Sequence, residues 1–225
     1  MGLLPMDDLI RLAAWIDHTL LKPETTAQDI ERLCAEAREN RFFGVCVNGC
    51  WIKYACIMLQ DSAIRTIAAV AFPLGAMSVA AKCREAEIAI RDGAQEIDFV
   101  LNVGRLKQGD SRYIADEIRN LASATAGFPV KVILETCLLS KEEKIEACRL
   151  AVENGARFVK TSTGFGAGGA TVADVRLMRD TVGPDFGVKA SGGIRDLKTA
   201  LAMIEAGATR LGTSAGVTIL KGESE

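Results

Sequence analysis

Lys160 and Lys189 each close or nearly close a short apolar run, Arg157-Phe158-Val159-Lys160 and Gly187-Val188-Lys189-Ala190, and each is soon followed by a glycine-containing loop. Asp98 sits in a third run, Glu96-Ile97-Asp98-Phe99-Val100. If the two lysines end neighbouring strands, about 4.8 Å apart, their charges repel, and exclusion of water sharpens the repulsion. One amine should then give up its proton at working pH. A neutral amine adds to a carbonyl to form an imine, which serves as an electron sink for chemistry at a C–C bond. A carboxylate nearby relays protons through water. One lysine at a strand end is as readily a solvated cation or a salt-bridge partner; the pair makes the chemical reading the stronger one.

Such a site needs elements that aim three side chains at one point. The chain alternates short apolar runs with longer amphipathic stretches. The runs are Trp15 to Thr19, Phe43 to Val47, Ile64 to Ala71, Gln95 to Leu101, Val130 to Glu135, Arg157 to Thr161, Phe186 to Ala190 and Thr209 to Gly212. Helices are expected between them. Thr25 or Thr26, Ser78 and Ser140 stand where N-caps belong, the last with Glu143 in capping-box position. Asp92-Gly93-Ala94, Asn154-Gly155-Ala156 and Ala206-Gly207-Ala208 place glycine where a helix stops and a strand starts. Eight strand–helix units of similar length predict an α/β fold, a single (β/α)8 TIM barrel spanning residues 1–225 as one domain, opened by a short N-terminal helix from Met1 to Arg11. Active sites of such barrels lie at the C-terminal ends of the strands, where Lys160 and Lys189 fall.

Composition narrows the partners. Hydrophobic residues make up 49% and charged residues 25%, with a net charge of -2, so neither a basic nucleic-acid surface nor a polybasic membrane anchor is expected. No apolar run reaches the roughly 18 residues of a membrane span. The seven cysteines include no CxxC pair, and His18 is the only histidine, so neither a zinc cluster nor any other metal is expected. Reduced thiols in a cytoplasmic protein without a signal peptide are the expectation.

Three consecutive loops are rich in small residues: 163–171, 191–194 and 212–216. Bare backbone N–H groups at helix starts suit a phosphate, although glycine in such loops also simply relieves crowding in tight turns.

Five segments in order resemble the deoxyribose-phosphate aldolase family: Asp17-His18-Thr19-Leu20-Leu21-Lys22-Pro23, Glu96 to Gly104, Lys131 to Thr136, Lys160-Thr161-Ser162-Thr163-Gly164-Phe165, and Val188 to Arg195. The resemblance covers about Leu12 to Leu220. It implies a lyase of nucleotide catabolism that reversibly cleaves 2-deoxy-D-ribose 5-phosphate to glyceraldehyde 3-phosphate and acetaldehyde, without a cofactor. It implies that Lys160 forms the Schiff base, that Lys189 tunes it and that Asp98 relays protons. It assigns Gly164, Gly192, Gly193, Gly212 and Ser214 to the substrate phosphate and suggests a homodimer. Other readings stay open: a different class I aldolase acting on a phosphorylated sugar, or a catalytically silent phosphosugar-binding barrel.

The chain departs from the family pattern at points. Val45-Cys46-Val47-Asn48 is followed by Gly49-Cys50 where many members have proline. Phe165 stands where some members carry lysine, so phosphate binding is expected to lean on backbone N–H groups and Ser214. The last residues, Lys221 to Glu225, include no tyrosine, which leaves proton transfer to Asp98 and ordered water. Lys131 and Glu135 share a strand parity, so both could line the site, with Lys131 supporting the charge network. Cys46 is expected to point toward the mouth, where an aldehyde could meet its thiol, and His18 reads as a hydrogen-bonded structural group.

Overall fold

Eight parallel strands pair in chain order, β1 to β8, and β8 returns to β1 to close a barrel. The structure is a computed structural model and describes residues 11–222. The expected N-terminal helix from Met1 lies almost wholly outside the described residues. The strands are β1 Ile16–Leu20, β2 Gly44–Asn48, β3 Arg65–Val70, β4 Glu96–Val100, β5 Val130–Ile133, β6 Phe158–Lys160, β7 Gly187–Ser191 and β8 Arg210–Thr213. All eight fall where the apolar runs predict them, with ends shifted by one or two residues.

The helices between them are α1 Ala27–Asn40, α2 Ile52–Leu59, α3 Val79–Arg91, α4 Val103–Lys107, α5 Ser111–Ala124, α6 Lys141–Glu153, α7 Val172–Val182, α8 Leu197–Glu205 and α9 Gly216–Lys221. The short α4 is an addition to the sequence-based expectation; Asn102 starts it by accepting from the Arg105 N–H. Thr26 and Ser140 form capping boxes with Asp29 and Glu143, and Ser78 caps α3. Each cap contributes about 1 kcal/mol. At the junction before β8, Gly207 adopts φ +110°, and an added Cβ would lie 2.6 Å from Arg179 Cγ, so both backbone and space demand glycine there.

The period of two in each strand divides side chains between two faces. Val45, Val47, Ala68, Val70, Ile97, Phe99, Val132, Val159, Val188, Ala190 and Leu211 join the large apolar core under the helices. Cys46, Ile67 and Ala69 form a separate small cluster with Leu21 inside the barrel. Burying a large aliphatic side chain contributes about 1.5–3 kcal/mol. Outside the barrel, Lys82 on α3 donates to Val100 O at 2.7 Å and pairs with Glu117 on α5 at 2.7 Å. Glu117 in turn accepts from the Asn102 N–H at 2.9 Å. This buried pair ties two helices to the end of β4, the strand that carries Asp98.

Candidate active site

Parallel register sets the site. Lys160 on β6 is the Cα partner of Lys189 on β7, Asp98 on β4 is the partner of Lys131 on β5, and Lys189 is the partner of Arg210 on β8. Their side chains meet inside the barrel. Asp98 Oδ2 lies 2.8 Å from Lys160 Nζ and 2.7 Å from Lys189 Nζ, and Asp98 Oδ1 lies 2.8 Å from Lys131 Nζ. Lys189 also meets Asp17 Oδ2 of β1 at 2.5 Å. Below them, Arg210 bridges Asp17 Oδ1 at 3.0 Å and Glu96 Oε2 at 3.1 Å, and Glu96 reaches Lys131 at 2.5 Å. The structure therefore brings Lys160, Lys189 and Asp98 together, as the sequence led us to expect.

The electrostatics differ from a bare lysine pair. Four buried cations, Lys131, Lys160, Lys189 and Arg210, face three buried carboxylates, Asp17, Glu96 and Asp98. Burial alone would lift the Asp98 carboxyl, but the Lys131, Lys160 and Lys189 ammonium groups overcome it and hold Asp98 well below the usual carboxylate range. Asp17 behaves the same way: burial pushes up, and Lys189, Arg210 and Lys131 pull it below its ordinary value. Burial pushes Lys189 down, yet Asp17 and Asp98 outweigh it and raise Lys189 above the ordinary lysine value. Repulsion between the lysines thus does not discharge Lys189, because a carboxylate sits between the two amines. Lys160 is held by Asp98, and it is the lysine of the cluster that opens to a cavity.

That cavity, about 310 Å³, lies at the C-terminal ends of β1 and β6 to β8. Lys160 lines it, with Gly164, Gly192, Gly193, Gly212 and Ser214. All five residues assigned to the phosphate from sequence resemblance therefore share one space with the Lys160 amine. Gly192 and Gly193 have φ values of +86° and +77°, and an added Cβ at Gly192 would lie 2.9 Å from Gly169 Cα. The β6 and β7 loops are thus packed backbone to backbone, and the Ala170 N–H donates to both Ser191 O and Gly192 O at 3.0 Å. Gly212 has a second reason to lack a side chain: a Cβ there would lie 3.0 Å from Lys189 Cε. Lys22 and Arg195 line the cavity too, cations that the sequence reading left without a role.

Other expectations need correction. Cys46 does not sit at the mouth; it is fully buried inside the barrel with Sγ 4.0 Å from Asp98 Oδ2. Burial, with Asp98 adding to it, pushes its thiol up to about 11, so it is not a ready nucleophile. Glu135 does not follow the strand parity into the barrel, because β5 ends at Ile133 and Glu135 turns into the left-handed region at φ +55°. Its carboxylate receives the Thr163 N–H and hydroxyl instead. Asp17 belongs to the charge cluster through Lys189 and Arg210. His18 points outward, with Nε2 2.7 Å from Glu36 Oε2 and its ring 5.0 Å from Phe42, and burial lowers its pKa despite Glu36. Glu96 and Arg210 were missed, although each lies two residues from a recognised inward position and shares its parity.

Among the described residues no group of three or more His, Cys, Asp or Glu is placed to hold a metal ion, and no helix is long and apolar enough to cross a membrane.

The chain as a whole was compared with known proteins. The family described as "DeoC/LacD family aldolase" matches residues 11–222. Deoxyribose-phosphate aldolase of Alkaliphilus oremlandii is 56% identical over 217 residues, covering 96% of this chain and 98% of that one. The enzyme of the same name from Bdellovibrio bacteriovorus is 54% identical over 215 residues, covering 96% and 98%. Among solved structures, a tetrameric deoxyribose phosphate aldolase from Aeropyrum pernix aligns with a TM-score of 0.89 at 30% identity, over 96% of this chain and 92% of its own.

Proposed function

We propose that this chain, which belongs to the DeoC/LacD family of aldolases, reversibly cleaves 2-deoxy-D-ribose 5-phosphate to D-glyceraldehyde 3-phosphate and acetaldehyde. The observation that carries the reading is the placement of the Lys160 amine in the same cavity as the glycine loops of β6 to β8. That space brings a nucleophile together with glycine loops, a hydroxyl and the cations Lys22 and Arg195, which suit an anion.

In the reaction, neutral Lys160 Nζ adds to C1 of the open-chain aldehyde, and water leaves to give a protonated imine. A base removes the proton from the C3 hydroxyl. The C2–C3 bond breaks, its electron pair moves toward the imine, and glyceraldehyde 3-phosphate departs. The enamine takes a proton at C2, and water hydrolyses the resulting imine to acetaldehyde and free Lys160. Asp98 relays the protons through a water. Its low proton affinity in the resting cluster suits this role only because the reaction changes its surroundings. As the C2–C3 bond breaks, the iminium on Lys160 becomes a neutral enamine, one of the three cations holding Asp98 is lost and the carboxylate becomes a better base. Lys189, kept charged by Asp17 and Asp98, supplies a fixed positive charge beside the reacting nitrogen.

Phosphate is held by Gly164, Gly192, Gly193, Gly212 and Ser214. The test is turnover of 2-deoxyribose 5-phosphate against 2-deoxyribose. A clear preference for the phosphorylated sugar is expected, and equal kcat/KM for the two would sink the phosphate assignment. Residues 1–225 act as one catalytic domain in the cytoplasm, and two copies associate; light scattering on the purified chain would measure the assembly.

A further inference from the structure

We propose that Glu135 is a positioning residue for the phosphate end of the site, acting through the loop that follows Lys160. The inference rests on the aldolase reading above. β5 stops at Ile133, and Glu135 then adopts φ +55°, a left-handed conformation that a non-glycine residue holds only when its surroundings compel it. The turn swings a carboxylate that is 5% exposed away from the barrel and under the β6 loop. There Glu135 Oε2 accepts from the Thr163 N–H at 3.3 Å and from the Thr163 hydroxyl. Thr163 Oγ1 in turn accepts from the Phe165 N–H at 3.0 Å. One carboxylate thus fixes the amides on both sides of Gly164, a residue that lines the cavity.

The rest of the loop is seated on the same turn. A Cβ added at Gly166 would lie 3.2 Å from Glu135 Oε1 and 3.1 Å from Cys137 Sγ, and one at Gly168 would lie 3.0 Å from Cys137 Cβ. The glycines let the loop lie against Glu135 and Cys137, and Gly169 then packs on the Gly192 backbone of the β7 loop. The path runs from a strained residue just after β5 to the two glycine loops assigned to the phosphate. It bypasses Asp98 and Lys189, so its loss should act on phosphate recognition before it acts on bond cleavage.

The test compares wild type, Glu135→Gln, Glu135→Asp and Thr163→Val on 2-deoxyribose 5-phosphate and on 2-deoxyribose. Gln keeps the size but loses the negative charge and one of the two oxygens, so a single neutral oxygen must take both the Thr163 N–H and hydroxyl and holds each more weakly. We expect the ratio of kcat/KM for phosphorylated over unphosphorylated sugar to fall about tenfold in Glu135→Gln and in Thr163→Val, through KM more than kcat. Asp tolerates the left-handed conformation and keeps the carboxylate, so it should recover part of the ratio. Combining Glu135→Gln with Thr163→Val should cost little more than either alone, since both cut one chain of hydrogen bonds. An unchanged ratio in both single variants, or equal losses on both sugars, would overturn the role of Glu135. Failure of the wild type to cleave 2-deoxyribose 5-phosphate would instead overturn the aldolase reading beneath it.

Discussion

Lys160 and Lys189 are register partners on adjacent parallel strands, and Asp98 Oδ2 lies 2.8 Å from one amine and 2.7 Å from the other. Two ammonium groups tolerate this closeness because one oxygen serves both. The arrangement also separates them chemically. Lys189 has a second carboxylate, Asp17, at 2.5 Å, whereas Lys160 has the cavity. With all groups ionised, the buried cluster of four cations and three carboxylates carries one surplus positive charge. Of the three lysines, Lys160 is the one that faces the space where a substrate would lie.

Trapping tests that division. Incubation with acetaldehyde and borohydride should leave an ethyl group on Lys160, located by peptide mass. Lys160→Met, of similar volume, should abolish both adduct and turnover while keeping the cooperative melt. An adduct on Lys189 would reverse the two roles.

Acid and base stability should report the same cluster from its two ends. Asp17 and Asp98 lie below the ordinary carboxylate range, so their stabilisation is complete above the unfolded value of about 3.9 and is lost as pH falls through the folded values. Lys189 lies above the ordinary lysine value, so its stabilisation is complete below about 10.4 and is lost as pH rises through the folded value. Urea midpoints should therefore be flat in mid-range and drop on the acid side, and Asp98→Asn should flatten that acid limb. The same substitution leaves buried cations uncompensated and should cost about 3–5 kcal/mol at neutral pH. A neutral-pH midpoint equal to wild type would contradict the burial of this charge.

Gly212→Ala probes clearance around Lys189. The new methyl would lie 3.0 Å from Lys189 Cε, and the ion pairs to Asp17 and Asp98 leave that side chain little freedom to give. We expect kcat to fall at least tenfold, in line with the sensitivity of catalysis to displacements under an ångström. Wild-type kcat would show that Lys189 shifts without consequence.

Alkylation separates the cysteines. Cys50 and Cys137 are exposed, whereas Cys46 is buried with its thiol pushed up to about 11. Iodoacetamide at pH 8 should label the first two and spare Cys46 in the native protein, with labelling of Cys46 appearing on denaturation.

Much of this site was legible because barrel geometry turns a strand position into a direction. Lys160, Lys189 and Asp98 needed only strand ends and parity. Asp17, Glu96 and Arg210 needed the interlock between strands distant in sequence: Arg210 meets Asp17 at 3.0 Å across the closing seam of the barrel. No local pattern announces that pairing. Glu135 was misread for the opposite reason, since parity was carried past Ile133, where the strand stops and the backbone changes hand. The upward pull on Lys189 was not legible, because repulsion between two lysines is visible in sequence while the intervening Asp98 and Asp17 contacts are not.

The interior charges have one further consequence. Asp17 on β1 and Glu96 and Asp98 on β4 supply every carboxylate of the cluster, while Lys131, Lys160, Lys189 and Arg210 come from β5 to β8. The barrel is therefore two half-shells with opposite charge on their hollow sides. Neither half could bury its own like charges without the other, and neither would mate well with a copy of itself. The groups that do the chemistry are thus also what tells the front of the chain to close upon its back.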